Sequence, residues 1–171
     1  ISAMGTGLPE LCGAAIGKKF KRNFCIIGDG SLMFNLQELQ TLKTNCPNSI
    51  IIVINNQGYL AIRHTQKEFL EGRYYGTSNE NKQLDIPEIK LIAETFEYEY
   101  QKINSSEDMN KVLKYILNEN KKSMIIELLC PPDVENLYTP SFKKNEDGTF
   151  TPNDLSQMKP FEDFDYVNIS K

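Results

Sequence analysis

The run Ile50-Ile51-Ile52-Val53-Ile54 constrains the fold more than any other segment of the chain. Five consecutive β-branched residues favour a strand that is buried on both faces. Residues 24–27 and 123–129 are apolar runs of similar length, and residues 98–103 form a further candidate strand. Helix-like patterns separate these runs, so the sequence predicts an α/β fold in which helices flank both faces of a parallel sheet.

Four stretches have the apolar spacing of amphipathic helices. They are residues 9–16, with Pro9 in the first turn, residues 33–42, residues 89–96 after a capped start at residues 85–88, and residues 109–117 after a cap formed by Ser105 and Asp108.

The composition changes after Cys130. Five of the eight prolines lie beyond it, and the segment carries too few apolar residues to build its own core. We therefore predict one α/β domain over residues 1–130 and an extended tail over residues 131–171. The first residue is not Met and the chain opens in a Gly-rich segment, which suggests a piece of a longer protein.

Charge and composition argue against several classes of function. The net charge is -4 and the basic residues form no block, so we expect no nucleic-acid or anionic-membrane partner. No apolar stretch approaches the roughly 20 residues of a membrane span, and no signal peptide is recognisable, which favours a cytoplasmic protein. His64 is the only histidine, and the four cysteines lack CxxC spacing, so multi-histidine metal sites are excluded and reduced structural thiols are expected.

Two polar motifs follow two of the predicted strands. Gly28-Asp29-Gly30-Ser31 comes after the first strand, and Asn55-Asn56-Gln57-Gly58 comes after the second. Ligands of parallel α/β sheets bind outside the carboxyl ends of the strands, where both motifs would lie.

The residue types in these motifs suit a phosphate-bound Mg²⁺. Asp29, the amide oxygen of Asn56 and a backbone carbonyl near Gly58 are the oxygen ligands that Mg²⁺ prefers. The amides of Gly30 and Ser31, with the Ser31 hydroxyl, would meet a phosphate at a helix start. The alternative is that Asp29 is only an N-cap or turn residue and that the asparagine pair only forms a turn.

The same residues resemble a known family. The Gly-Asp-Gly-Ser and Asn-Asn motifs, at this separation, are similar to the signature of thiamine diphosphate enzymes. Residues 2–9, Ser-Ala-Met-Gly-Thr-Gly-Leu-Pro, resemble the segment that precedes this signature in enzymes of the acetolactate synthase type. The resemblance implies that Asp29 and Asn56 bind the Mg²⁺ that anchors the cofactor diphosphate.

The resemblance also assigns roles around this anchor. It implies that Met4 bends the cofactor, that the Ser2 carbonyl accepts a hydrogen bond from its aminopyrimidine, and that Ile62 points toward its thiazolium. The full set of expected cofactor contacts is Ser2, Met4, Gly28, Asp29, Gly30, Ser31, Asn56, Gly58, Tyr59, Leu60 and Ile62, with Asp29, Asn56 and Gly58 as metal ligands.

Four neighbouring residues have less specific expectations. Arg63 and His64 are expected on an exposed helix face, with contact to an acidic substrate as the alternative. Tyr74 and Tyr75 are expected to be packing or interface residues.

For the whole protein, the resemblance implies a thiamine diphosphate-dependent transferase or lyase that decarboxylates a 2-oxo acid such as pyruvate and joins the product to a second carbonyl. The glutamate that activates the cofactor lies on another domain in this family, so we expect no catalytic residue in this chain and no activity of the chain alone. A flavin (FAD) in a missing domain and a homodimer or homotetramer are further implications.

The sequence is also compatible with three different functions. Acetolactate synthases usually carry a Trp soon after the asparagine pair, and this chain has none. The pattern Gly58-Tyr59-x-x-Ile62-Arg63-x-Thr-Gln is more similar to relatives in surface-sugar biosynthesis, which implies acetyl transfer to a nucleotide-linked keto sugar. A non-catalytic nucleotide- or phosphate-binding module is the second possibility, and a scaffold domain with a vestigial site is the third.

Overall fold

A computed structural model of the chain describes residues 3–17, 22–78, 83–117, 122–134, 141–154 and 157. The chain divides into two compact units, Ile1–Asp133 and Val134–Lys171. Ser2, expected to contact the cofactor, lies outside the described residues.

The first unit is built on a parallel four-stranded sheet. Its strands are β1 (Asn23–Gly28), β2 (Ser49–Asn55), β3 (Glu99–Ile103) and β4 (Met124–Leu129), in the order β1-β2-β4-β3. In the register, Gly28 at the end of β1 pairs with Ile54, one residue before the end of β2. All four strands were predicted, and the two polar motifs follow neighbouring strands at the same edge of the sheet.

Six α-helices accompany the sheet. They are α1 (Gly7–Gly17), α2 (Asp29–Leu32), α3 (Glu38–Asn45), α4 (Leu60–Phe69), α5 (Ile89–Thr95) and α6 (Ser106–Leu117) among the described residues.

The helix predicted over residues 33–42 forms only in part, as α3 (Glu38–Asn45). A 3₁₀ turn, Met33–Asn35, separates α2 from α3. Within this turn Asn35 Nδ2 donates to the Gly5 carbonyl oxygen at 2.8 Å, which ties the break to a loop 30 residues earlier in the chain. Apolar periodicity carries no information about such a contact.

Helices cover both faces of the sheet. Buried leucines and isoleucines of α1, α3 and α5 join one core cluster with Ile27, Ile51 and Val53. Val112 and Ile116 of α6 join a second cluster with residues of β2, β3 and β4 on the other face. The expected α/β sandwich is thereby confirmed. Two apolar side chains of β1, Phe24 and Ile26, remain exposed.

The second unit contains an element that the sequence analysis missed. Strands β5 (Phe142–Lys144) and β6 (Phe150–Pro152) form an antiparallel hairpin. Its turn is closed by Gly148, at φ +82°, and by a bond from the Asn145 amide to the Thr149 carbonyl oxygen at 2.8 Å. Composition alone indicated an extended tail because a strand of three residues is too short to leave a periodic signal.

None of the helices in the described ranges is long and apolar enough to cross a membrane.

Candidate functional site

Asp29 joins the two polar motifs directly. It is the first residue of α2, immediately after β1, and only 1% of its surface is exposed. Its Oδ1 accepts a hydrogen bond from the Gly30 amide at 2.9 Å, and its Oδ2 accepts one from the Gly58 amide at 2.8 Å. The second bond spans 29 residues of sequence, so the two motifs form one site at the sheet edge.

Burial and hydrogen bonding act on the Asp29 carboxyl in opposite directions. Burial is the larger effect and raises its pKa above the ordinary value. The amides of Gly58, Gly30 and Gln57 and the charge of Arg63 oppose that rise. A cation at this carboxylate would compensate the desolvation that raises the pKa.

Asn56 carries an unpaired buried oxygen. Its Oδ1 is inaccessible to solvent and has no hydrogen-bond donor in the part of the chain that the structure describes. A buried amide oxygen normally finds a donor, because desolvating it without a partner is costly. An oxygen ligand of Mg²⁺ needs no donor, so Asn56 and the Asp29 carboxylate fit a metal site.

The side chain of the preceding residue, Asn55, has hydrogen-bond partners at both ends. Asn55 Nδ2 donates to Glu127 Oε1 at 2.5 Å, and Asn55 Oδ1 accepts from the Gln57 amide at 3.0 Å. Both ends of this side chain are therefore occupied, which leaves Asn56 as the member of the pair that can bind a ligand.

The turn after β2 needs its glycine. Gln57 and Gly58 have positive φ values of +62° and +128°. A Cβ on Gly58 would lie 2.4 Å from the Thr77 carbonyl oxygen, a contact that backbone cannot relieve. Gly58 therefore presents its amide to Asp29 in a conformation closed to other residues. Its carbonyl as a metal ligand stays a prediction.

The predicted phosphate donors are only partly available. The Gly30 amide donates to the Asp29 carboxylate, so its contact with a phosphate stays a prediction. Ser31 Oγ accepts the Gly5 amide at 2.8 Å, which brings the loop containing Met4 to the first motif. Among the described contacts the Ser31 hydroxyl donates to no acceptor, and Gly28 precedes α2 in an extended conformation.

The missing side chain of Gly30 leaves room for an aromatic ring. A Cβ at this position would lie 2.5 Å from Cε1 of Tyr59. The Tyr59 ring also packs edge-on against Phe34, with 6.4 Å between ring centroids. Tyr59 is thereby held across the Gly28–Ser31 motif.

The remaining expected cofactor contacts border the site. Leu60 begins α4, and its side chain is half-buried. Met4 and Ile62 are 41% and 42% exposed, which leaves apolar surface for a bound group. Their individual roles stay predictions.

The expectation for Arg63 was wrong. Instead of lying on an exposed helix face, its side chain is 5% exposed and its guanidinium donates only to backbone carbonyl oxygens among the contacts observed. His64 is half-buried. The helical pattern of α4 could not predict the burial of Arg63, because segments that cover it lie elsewhere in the chain.

Tyr74 and Tyr75 differ in exposure. Tyr74 is half-buried and Tyr75 is exposed. The backbone of Tyr75 is tied to the side chain of Gln66, whose Nε2 donates to the Tyr75 carbonyl oxygen at 3.2 Å. Their expected role in packing or an interface stays a prediction.

Sequence reasoning missed Glu127. This buried side chain of β4 accepts hydrogen bonds from the side-chain Nδ2 of Asn55 and from the Tyr100 hydroxyl. With Asp29 it lines a cleft of about 500 Å³ at the edge of the sheet. The available signal was an acidic residue inside the apolar run Met124–Leu129, where an unpaired charge would be costly.

The sequence around this site matches a known protein family. The family described as "Thiamine pyrophosphate enzyme, C-terminal TPP binding domain" matches residues 1–128, which include both motifs and the four strands of the sheet except Leu129, the last residue of β4. The chain belongs to this family. Thiamine pyrophosphate is the same compound as thiamine diphosphate, so the resemblance noted from the sequence is confirmed.

Individual relatives agree with the membership. This thiamine pyrophosphate domain is 32% identical over 120 residues to the acetolactate synthase isozyme 2 large subunit of Escherichia coli (strain K12), covering 70% of this chain and 21% of that protein. It is 30% identical over 125 residues to the isozyme 1 large subunit of the same organism, covering 73% and 22%. The chain thus spans about a fifth of the length of the curated relatives it matches.

A solved structure has the same fold. The thiamine diphosphate-dependent 4-hydroxybenzoylformate decarboxylase of Rhodococcus jostii RHA1 matches with a TM-score of 0.63 and 25% identity, over 76% of this chain and 24% of that one. The thiamine pyrophosphate domain described here is therefore similar to parts of enzymes named as a synthase and as a decarboxylase.

The other metal-binding residue types are not arranged as a site in this thiamine pyrophosphate domain. Within the described ranges, no group of three His, Cys, Asp or Glu residues could hold a metal ion. Cys12, Cys25, Cys46 and Cys130 are free thiols, and burial raises the pKa of both Cys12 and Cys25 to about 11. These two thiols are thus protonated at neutral pH, as expected of structural cysteines.

Proposed function

We propose that this domain binds the diphosphate end of thiamine diphosphate through Mg²⁺, with the Asp29 carboxylate, the Asn56 amide oxygen and the Gly58 carbonyl as protein ligands. The observation that carries the proposal is the buried Asn56 Oδ1, which lacks a donor among the described residues and lies two residues from the amide that Asp29 accepts. The family membership supports the identity of the cofactor, and the oxygen ligands support Mg²⁺.

The chemistry is divided between the cofactor and the chain. The bound cofactor supplies the electron sink for decarboxylation of a 2-oxo acid. Asp29 and Asn56 would hold its metal-diphosphate end, and the Ser31 hydroxyl would donate to a phosphate oxygen. The exposed apolar surfaces of Met4 and Ile62 would exclude water from the bound group.

For the whole protein, we propose a decarboxylating and carboligating enzyme of the acetolactate synthase type that acts on a 2-oxo acid such as pyruvate. It would be a cytoplasmic homodimer or homotetramer, with the activating glutamate on another domain and FAD possible in a third. Similarity to acetolactate synthase large subunits supports this proposal over part of their length.

One observation favours a different acceptor substrate for the group that the cofactor transfers. The chain has no Trp after the asparagine pair, where acetolactate synthases usually carry one. Acetyl transfer to a nucleotide-linked keto sugar is therefore the alternative reaction, and the two are separated by offering the full-length protein pyruvate with either acceptor.

The cofactor site is tested by titrating thiamine diphosphate into the full-length protein with and without Mg²⁺, by calorimetry. We expect Mg²⁺-dependent binding in the parent and its loss in Asp29→Ala and Asn56→Ala. Asp147→Ala and Asn45→Ala are matched controls, because both side chains are exposed and lie outside the two motifs. Parent-like affinity in both site variants would refute the ligand assignment.

The two non-catalytic functions predict different results. A nucleotide-binding module would bind a nucleoside diphosphate in preference to thiamine diphosphate. A vestigial scaffold would bind thiamine diphosphate but release no CO₂ from any 2-oxo acid in the full-length protein.

A further inference from the structure

Arg63 is the buried charged residue whose role the cofactor site does not yet explain. It lies in the first turn of α4, and its guanidinium contacts three separate segments. Nη2 donates to the carbonyl oxygens of Asn56 at 2.8 Å and Pro132 at 2.5 Å. Nη1 donates to those of Thr77 at 2.8 Å and Gln57 at 3.2 Å.

Two of these four carbonyls belong to the turn that carries the proposed metal ligands. Gln57 adopts φ +62°, a conformation that a non-glycine residue keeps only where its surroundings hold it. Asn55 Oδ1 accepts a hydrogen bond from the Gln57 amide, and Arg63 Nη1 donates one to the Gln57 carbonyl oxygen. The peptide units on both sides of Gln57 are therefore fixed by side chains outside the turn.

Residues 77–78 hold the same turn through further hydrogen bonds. The Thr77 carbonyl oxygen accepts from both Arg63 Nη1 and the Tyr59 amide, the latter at 3.0 Å. Gly58 also forms a β-bridge with Ser78. Arg63 thus clamps the turn between β2 and α4 against residues 77–78.

We infer that Arg63 is a positioning residue that aims Asn56 Oδ1 and Gly58 at the metal by holding the backbone of residues 56–57, an inference that rests on the proposed cofactor function. A direct role on substrate does not fit its geometry, because both terminal nitrogens are occupied by carbonyl oxygens and the side chain is buried. The charge of Arg63 also opposes the rise in the pKa of the buried Asp29 carboxyl.

Lysine cannot replace this clamp. A guanidinium presents five donors in a planar fork, whereas an ammonium presents three donors from a single nitrogen. Arg63→Lys keeps the positive charge, but its three donors are too few for the four carbonyl oxygens that Arg63 contacts. The substitution therefore separates positioning from charge.

The test compares the full-length parent with Arg63→Lys. We expect the Mg²⁺ concentration for half-maximal thiamine diphosphate binding to rise about 10- to 100-fold, as for other residues that orient metal ligands. Mn²⁺ serves as a paramagnetic probe, and its electron paramagnetic resonance line shape should differ between the two proteins because the ligand geometry differs.

Arg73→Lys is the matched control. Arg73 is an exposed arginine just after α4, whose Nε donates to the Leu70 carbonyl oxygen at 3.1 Å. The same substitution there should change Mg²⁺-dependent binding by less than about twofold. Circular dichroism of each metal-free variant reports whether it folds, and Arg63→Gln, which keeps one donor group, replaces Arg63→Lys if the latter does not.

The possible outcomes distinguish failure of the proposed cofactor function from failure of the positioning role of Arg63. If the parent fails to bind thiamine diphosphate with Mg²⁺, the proposed function falls and the inference with it. If the parent binds and the folded Arg63 variant matches it in Mg²⁺ requirement and Mn²⁺ spectrum, the inference alone falls. A variant that binds the cofactor normally but has a raised KM for the 2-oxo acid would show a substrate contact and overturn the positioning role.

Discussion

At the scale of single residues, neighbouring asparagines with the same chemistry have opposite roles. Asn55 is bonded at both ends of its side chain, to Glu127 and to the Gln57 amide. Asn56 has a buried oxygen without a donor among the described residues. The resemblance to thiamine diphosphate enzymes singled out Asn56 as the candidate ligand, but Glu127, which occupies Asn55, was not anticipated from the sequence.

This contrast predicts different effects on the stability of the metal-free protein. Asn55→Ala removes the side-chain hydrogen bonds to Glu127 Oε1 and to the Gln57 amide, so we expect it to lower the free energy of unfolding by about 1–3 kcal/mol. Asn56→Ala removes no hydrogen bond at Oδ1, so its effect should stay below about 1 kcal/mol. Thermal unfolding of the metal-free full-length protein measures both.

Adding Mg²⁺ and thiamine diphosphate completes the comparison. The stabilisation that these ligands confer on the parent should be absent in Asn56→Ala, since ligands stabilise only the state that binds them. Equal ligand-induced shifts in the melting temperature of the parent and Asn56→Ala would contradict the role of Asn56.

At the scale of secondary structure, strands were easier to predict than helix ends. Three strands, β1, β2 and β4, follow from apolar runs. β3 carries polar residues at three of its five positions, so the sequence offered it only as a candidate. The expected cap of α5 was not found, because Glu88 occupies the N-cap position and makes no side-chain cap bond. The expected cap of α6 was confirmed: Ser105 Oγ accepts the Asp108 amide at 3.2 Å, and Asp108 Oδ2 accepts the Asn104 amide at 3.2 Å.

The two helix starts supply a matched pair of variants. Ser105→Ala removes the acceptor for the Asp108 amide, so we expect a loss of about 1 kcal/mol in the free energy of unfolding. Glu88→Ala removes no cap bond and should change stability by less than about 0.5 kcal/mol. Urea denaturation followed by circular dichroism distinguishes the two, and equal losses would argue against the α6 cap.

At the scale of the whole molecule, the domain contains a proposed cofactor anchor without a group matching the activating glutamate among its described residues. Glu127, the one buried glutamate among the described residues, is already bonded to Asn55 and Tyr100. The chain covers about a fifth of its curated relatives, which leaves most of such a protein outside this domain.

We therefore expect residues 1–171, prepared alone, to release no CO₂ from pyruvate in the presence of Mg²⁺ and thiamine diphosphate. The full-length protein should release it under the same conditions, measured by a coupled CO₂ assay. The Asp29→Ala full-length protein is the control for background decarboxylation. Turnover by the isolated chain above that background would show that the activating group lies within it.

Much of the architecture could be inferred from local patterns. Apolar runs and helical spacing extend over a few residues, so they predicted the strands, their alternation with helices and the arrival of Asp29 and Asn56 at one edge of the sheet. The clamp on the metal turn could not be inferred in this way. Arg63 bonds carbonyls of residues 56, 57, 77 and 132, and backbone carbonyls are the same at every position, so no side-chain pattern marks which of them an arginine will meet. Only the folding of distant segments against α4 made that exposed-looking residue a buried support of the site.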